Sequence, residues 1–249
     1  MKAYLLAAGL GTRLRPLTET TPKCLIPVAG RPLLSWWLEH LEREGVTHLL
    51  INLHHLPDVV RAFISSYAGP IDVTLAMEEE LLGSAGTLHR NRSFVEGDEQ
   101  FYLLYGDNLT DVALEPLRMF NARHPAPLTV GLFHAENPSA CGIAERDPES
   151  GIITDFVEKP AHPRGDLASA GIFVARQELF DHLTPTSYPY DLGHDVMPRL
   201  IGIMNGIVVD GYLQDVGTPE NLARGEREWI ERNRPGTEGR ATDSPNDRV

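Results

Sequence analysis

The chain has 249 residues, 42% of them hydrophobic and 23% charged, with a formal net charge of −13 at pH 7. That size makes one large domain or two small ones, and that composition excludes collagen, low-complexity polymer and wholesale disorder. The acidic balance argues against broad nucleic-acid binding, which needs a basic face, and no apolar run reaches the ~18 residues that span a bilayer.

Met1, Lys2 and the apolar run 3–8 have the outline of a short signal peptide. The run is brief, however, and flows into Gly9, Gly11, Thr12, Arg13 and Arg15 with no cleavage-like end, so residues 4–8 are predicted as a buried strand. Leu33, Leu34, Trp37, Leu38 and Leu41 repeat at helical spacing between Pro32 and Gly45, which predicts an amphipathic helix over 32–44. Strands are predicted at 46–53, 71–77, 101–105 and 128–133, with helices at 57–67 and 115–123. This alternation implies an α/β fold, Rossmann-like, in three α/β/α layers around a mainly parallel mixed sheet.

The rhythm changes after residue 140. Residues 141–146 and 152–157 flank the turn Asp147-Pro148-Glu149-Ser150-Gly151 as a hairpin, a small β-rich insertion. A strand at 170–175, a short helix at 177–183 and a closing helix at 219–232 follow. From Asn233 onward apolar periodicity is lost, and a disordered tail is expected over 233–249. The reading is one domain, 1–232, with halves at 1–135 and 136–232.

Charge is unevenly placed. Residues 1–35 carry +4 and the remainder −17, a positive pole suited to a small anionic ligand. Basic positions hold nineteen arginines but three lysines, Lys2, Lys23 and Lys159. Lysine offers a compact ammonium where arginine offers a planar fork. The two cysteines, Cys24 and Cys141, make neither a disulfide framework nor a four-cysteine zinc site, and a cytoplasmic setting is expected.

The richest segment runs from residue 5 to 27, LLAAGLGTRLRPLTETTPKCLIP. A strand feeds a turn with Gly9, Gly11 and Thr12, where missing side chains let backbone N–H groups approach a phosphate or a base. Arg13, Arg15 and Lys23 add three cations, a set that suits a triphosphate. A dinucleotide fingerprint would need glycine where Leu14 stands, and the P-loop pattern is absent.

The string resembles the signature of sugar-1-phosphate nucleotidyltransferases, roughly L-A-x-G-x-G-T-R-L-x-P-L-T followed by P-K-x-L-x-P-V. The resemblance continues in order through Leu82-Gly83-Ser84-Ala85-Gly86, Gly106-Asp107-Asn108, Glu158-Lys159-Pro160, Ala170-Gly171-Ile172 and Asp215-Val216-Gly217-Thr218-Pro219, covering about residues 1–230. It implies that a sugar-1-phosphate oxygen attacks the α-phosphate of a nucleoside triphosphate and that pyrophosphate leaves. Such a transfer needs positioning and charge neutralisation more than covalent chemistry.

By the same resemblance Asp107 and Asp215 hold Mg²⁺, and Arg13, Lys23 and Asp107 are the catalytic set. Leu6, Ala8, Gly9, Gly11, Thr12, Arg13, Lys23, Gly83, Ser84, Gly86 and Asp107 surround the nucleotide. Asn108, Gly142, Glu158, Lys159, Ser169, Gly171 and Asp215 face the acceptor. The sequence departs from the pattern at Ala8, where many relatives have glycine, at Ser84 for threonine and at Ser169 for asparagine. Cys24, with no local partner, is expected to be inert.

Glu78, in Glu78-Glu79-Glu80, is placed against a guanine edge, with solvated charge as the other reading. His54-His55 point to opposite faces at a strand end and read as turn residues rather than a metal pair. Asp191 and Asp195 read as caps, with lining of the acceptor side as the other reading. GTP is the favoured nucleotide, with a sugar-1-phosphate or a sugar-like cyclitol phosphate as acceptor. Uridylyl, thymidylyl and cytidylyl transfer are alternatives, phosphocholine-type acceptors included. A non-catalytic regulatory subunit is the alternative of another class. No hexapeptide repeat of a left-handed β-helix is present, so a fused acetyltransferase is not expected. Partners are limited to these small molecules and a second copy in a homodimer, without nucleic acid or membrane.

Overall fold

Ala3 and Leu5 lie in one apolar cluster and Tyr4 in another, all three wholly buried. That alternation is what a strand covered on both faces requires. The computed structural model describes residues 1–234, and of the tail expected over 233–249 all but the first two residues lie outside them. The first strand, β1 (Lys2–Leu6), is followed by β2 (Pro27–Val28), β3 (Arg31–Pro32), α1 (Leu33–Arg43), β4 (His48–Leu53), α2 (Pro57–Ser65), β5 (Asp72–Met77), α3 (Ser84–Arg90) and β6 (Phe101–Tyr105). Then come β7 (Asn108–Thr110), α4 (Glu115–Arg123), β8 (Leu128–His134), β9 (Gly142–Arg146), β10 (Ile153–Glu158), β11 (Leu167–Ala175), β12 (Asn205–Val208), β13 (Leu213–Asp215) and α5 (Pro219–Arg232).

The main sheet runs β10-β9-β11-β6-β1-β4-β5, with β8 paired to β11 and β12 to β8. β1 pairs in parallel with both β4 and β6, and β4 with β5. β11 runs antiparallel to β6, β8 and β9. The sheet is mixed, as expected: β1, β4, β5 and β6 pair in parallel, β12 pairs in parallel with β8, and β11 and β10 run antiparallel to their neighbours. Trp37 of α1, Val60 of α2 and Trp229 of α5 pack on one face. Ala85 and Leu88 of α3, with Leu192, Val196 and Leu200, pack on the other. Among the described residues no helix is long and apolar enough to cross a membrane.

Element boundaries move for local reasons. The strand expected from residue 46 starts at His48, because Val46 donates to Leu41 O and Gly45 to Glu42 O, a Schellman closure of α1. Gly45 sits at φ +72°, which glycine adopts without strain. The helix expected at 177–183 is a 3-10 helix, Gln177–His182. α3 was not foreseen, since Ser84-Ala85-Gly86 read as loop. Asn233, assigned to the tail, instead ends α5, its backbone N–H and side-chain amide both donating to Trp229 O.

His40, on the buried face of α1, holds its ring Nε2 3.0 Å from Val112 O. Burial pushes its pKa below the ordinary 6.5. The unfolded chain therefore binds the proton more readily, and the neutral ring's contribution to stability is complete above pH 6.5 and shrinks as pH falls through the folded-state value. His40→Leu loses about 1 kcal/mol at pH 7 with the lost hydrogen bond. Its thermal midpoint then falls less than the parent's when pH is lowered from about 6.5 to about 5.

Candidate active site

In open α/β sheets ligands collect beyond the carboxyl ends of the parallel strands. β1 and β6 end side by side, with Leu6 opposite Tyr105 and the Gly106 amide donating to Leu6 O at 2.9 Å. The chain leaves β1 into the glycine turn and leaves β6 into Gly106-Asp107. A two-stranded sheet of β7 and β13 then lays Asp215 opposite Asn108, and Val216 N donates to Asp107 O at 3.1 Å. Asp107 and Asp215, far apart in sequence, thus share one corner.

Lys23 stands between them. Its Nζ lies 2.6 Å from Asp107 Oδ2 and 3.7 Å from Asp215 Oδ1, with the lysine side chain only 10% exposed. It is held by a 3-10 turn, Lys23–Leu25, that follows Pro22 and buries Cys24 and Leu25. Burial and the neighbouring Asp107 carboxylate hold the Asp215 carboxyl above the usual range, while Lys23 opposes that rise. Asp215 Oδ1 also accepts from Gly217 N at 2.6 Å. A Cβ on Gly217 would lie 2.6 Å from Asp215 Oδ1, 2.9 Å from Arg13 Nη2 and 2.9 Å from Lys23 Nζ. Two cations and a carboxylate therefore crowd one glycine.

This cluster closes one end of a cavity of about 490 Å³. Leu6, Ala8, Gly9, Gly11, Thr12, Arg13, Lys23, Glu78, Gly83, Ser84 and Asp107 all line it. Gly11 is at φ +62°, and a Cβ there would meet Thr18 Cγ2 at 2.7 Å. Gly9 carries neither constraint: an added methyl would project into open space. Cys24 also lines the cavity, its thiol pushed up to about 12 by burial, so it stays protonated and inert near neutrality.

Glu78 is not the solvated charge that one sequence reading made it, and it lines the cavity with its carboxylate already bonded within the protein. It is buried; its Oε1 accepts from Asn52 Nδ2 at 2.8 Å and from Thr87 Oγ1 at 2.5 Å, and its Oε2 from Leu82 N at 3.1 Å. Asn52 Oδ1 in turn accepts from Ala7 N at 2.7 Å, tying the glycine turn to the second loop. His54 Nδ1 reaches Glu78 O and His55 Nε2 reaches Thr18 O, so the two histidines diverge as their alternation requires.

The remaining site residues divide. Gly86 is absent from the cavity lining: its amide donates to Tyr190 O, and a Cβ would strike the Tyr188 ring at 2.9 Å. Asn108, buried, donates to Ala170 O at 2.9 Å. A Cβ on Gly171, at φ +66°, would lie 2.9 Å from Asn108 Nδ2. A Cβ on Gly142 would lie 2.5 Å from Glu158 Oε2. Lys159 sits at φ +48° with its side chain exposed, and its ammonium lies 3.5 Å from Glu158 Oε1. Ser169 Oγ accepts only a long bond, 3.4 Å, from Gly171 N.

Tyr105, Asn52, Asp191 and Gly217 line the cavity and were not marked as site residues from the sequence. Burial first, then the charges of Asp191, Glu158 and Asp107, raise the Tyr105 phenol far above its ordinary value, so it is a neutral wall facing three carboxylates. Gly217 had a signal, its place in Asp215-Val216-Gly217-Thr218-Pro219. Tyr105 and Asn52 had none, being ordinary strand residues until the strands are placed.

Residues 2–231 match the family model described as nucleotidyl transferase. A mannose-1-phosphate guanyltransferase of Schizosaccharomyces pombe is 30% identical over 231 residues, 90% of this chain and 63% of that protein. The chain thus spans just under two thirds of the length of the first curated relatives it matches. Among solved structures, a Bacillus anthracis protein assigned as a glucose-1-phosphate thymidylyltransferase, in complex with sucrose, superposes with a TM-score of 0.80 at 25% identity. The match covers 92% of this chain and 94% of that one. A UDP-glucose pyrophosphorylase complexed with UDP-glucose shares the fold, with a TM-score of 0.80 at 19% identity over 93% of this chain and 98% of that one.

Proposed function

The chain belongs to the nucleotidyl transferase family, and from that premise we propose that it condenses a nucleoside triphosphate with a sugar-1-phosphate or a sugar-like cyclitol phosphate. The products are a nucleoside-diphosphate sugar and pyrophosphate. One observation carries this reading: Lys23, between Asp107 and Asp215, lines the same cavity as Asp107 and the glycine turn.

A phosphate oxygen of the acceptor forms a bond to the α-phosphorus as the bond from that phosphorus to the bridging oxygen of pyrophosphate breaks. Negative charge gathers on the α-phosphoryl oxygens and the leaving group. In this reading the Arg13 guanidinium, which lines the cavity, meets the leaving phosphates, and Lys23 supplies a compact charge on the α side. Lys23 is held by its two carboxylates before substrate arrives, so little reorganisation accompanies charge development there. Gly9 leaves room for a ligand to reach backbone N–H groups.

The donor set fits Mg²⁺. Two carboxylates face one cation, and burial, with the neighbouring Asp107 charge, holds the Asp215 carboxyl up, a cost that a divalent ion would relieve. Mg²⁺ is usually held by one or two carboxylates with substrate phosphates and water rather than by an all-protein cage. Correspondingly, no cluster of three or more such ligands occurs among the described residues. When bound by Asp107 and Asp215, the ion neutralises triphosphate charge.

GTP is the nucleotide we assign, with mannose-1-phosphate as the first acceptor to try, because the curated relatives at 30–31% identity carry guanylyltransferase names. The free thiols of Cys24 and Cys141 agree with a cytoplasmic setting. The test is pyrophosphate release with each of the common nucleoside triphosphates against a panel of sugar-1-phosphates, cyclitol phosphates and phosphocholine. Fastest turnover is expected with GTP and a sugar-1-phosphate or cyclitol phosphate. No release with any pair overturns the reading in favour of a non-catalytic subunit.

A further inference from the structure

The segment 188–196 lies between the two halves of the site and is bound to both. Toward the nucleotide loop, Tyr190 N donates to Leu82 O at 2.8 Å and Gly86 N donates to Tyr190 O at 3.0 Å. Gly83, at φ +79°, has no room for a side chain, since a Cβ would lie 2.5 Å from Tyr190 O. Ser84 Oγ donates to Asp191 Oδ2 at 2.9 Å and accepts from Leu192 N at 2.7 Å. Toward the acceptor side, Asp191 Oδ1 accepts from His194 N at 3.0 Å and so caps the π-helical turn Leu192–Val196. That turn presses Gly193 against Glu158: a Cβ on Gly193 would lie 2.7 Å from Glu158 Oε2 and 3.3 Å from Asp191 Oδ1. Gly193 is not at positive φ, so space, not backbone conformation, demands glycine there.

We propose that Asp191 is a positioning residue that couples the nucleotide loop to the acceptor pocket. One carboxylate oxygen fixes Ser84 on the nucleotide side, and the other fixes the turn whose Gly193 seats Glu158 on the acceptor side. Asp191 itself lines the cavity, and its charge, with that of Glu158, acts on Tyr105. The carboxylate makes both bonds at once, so displacing either loop displaces the other. The proposal rests on the transferase reading above. It explains why a small residue with a hydroxyl stands at position 84: the hydroxyl clamps the loop to Asp191 and Leu192.

Steady-state kinetics with both substrates varied tests this in the full-length enzyme. Ser84→Ala and Asp191→Ala are each expected to raise KM for the nucleoside triphosphate and KM for the sugar phosphate together, about tenfold, the scale of one charge-assisted hydrogen bond. The double variant is expected to lose clearly less than the product of the two single losses, because the Ser84–Asp191 bond is counted in both. Asp191→Asn keeps a capping oxygen and an amide able to meet Ser84, and is expected to restore most of both constants. Gly193→Ala, which presses on Glu158, is expected to raise KM for the sugar phosphate first. A change confined to one KM in the Ser84 and Asp191 variants, or additive losses in the double variant, overturns the coupling. Should Asp191→Ala fail to fold, Ser84→Ala carries the comparison alone. Parent enzyme that turns over no substrate pair defeats the transferase reading instead, so the two failures are distinct.

Discussion

Lys23→Met lowers kcat by about 10²–10³, the size of loss that follows removal of one preorganised donor to a developing oxyanion. Methionine keeps the length and apolar stem of lysine, so the side chain still fills its slot beside Cys24 while the ammonium is gone. The parent Nζ is bonded to Asp107 at 2.6 Å and is largely shielded from water, where a charge acts more strongly than at an open surface. KM for the triphosphate is expected to rise less than kcat falls, because the contact proposed between Arg13 and the outer phosphates remains. Lys23→Arg does not rescue: a planar fork has no room beside Gly217, where even one methyl would approach to within 2.9 Å of the ammonium. Pyrophosphate release measured beside the thermal midpoint separates a lost charge from a lost fold.

The second large effect comes from a single methyl. Gly217→Ala puts a carbon 2.6 Å from Asp215 Oδ1 and 2.9 Å from both Arg13 Nη2 and Lys23 Nζ. Gly217 is not at positive φ, so alanine suits its backbone and the strain falls on the three charged groups. Arg13, being exposed, moves aside readily; Lys23 and Asp215, tied to each other and to the Gly217 amide, do not. Misplacement of catalytic groups by about 1 Å costs on the order of 10²-fold, and that loss in kcat/KM is expected with the thermal midpoint nearly unchanged. Recovery of parent kinetics by Gly217→Ala counts against the crowded geometry.

What the sequence made legible follows physical rules of unequal reach. Strong periodicity placed α1 and α5 to within a residue or two, because a wide apolar stripe leaves a helix one way to lie. The parallel strands were readable as short apolar runs, since strands buried on both faces lack alternation. α3 was not readable: it is seven residues long, begins Ser84-Ala85-Gly86, and is fixed by Gly83 fitting against Tyr190 rather than by its own pattern. Glu78 shows the same limit. Its charge run suggested water or a base, yet its carboxylate serves Asn52, Thr87 and Leu82, three partners that only the sheet assembles. Asp107 and Asp215 were marked through family resemblance, and their closeness depends on β7 pairing with β13, which no local signal announces. Asp191 read as a cap, and it is one; its second bond, to Ser84, was out of reach of any reading along the chain.

In the proposed reaction two aspartates act with one magnesium-bound triphosphate. Its most direct test is the rate of pyrophosphate release by the parent, Asp107→Asn and Asp215→Asn, each titrated with Mg²⁺ at saturating nucleotide and acceptor phosphate. The account predicts that both variants lose about 10²-fold or more in kcat and need more Mg²⁺ for half-maximal rate, with the fold retained. Either variant turning over at the parent rate, with the parent's Mg²⁺ dependence, contradicts it.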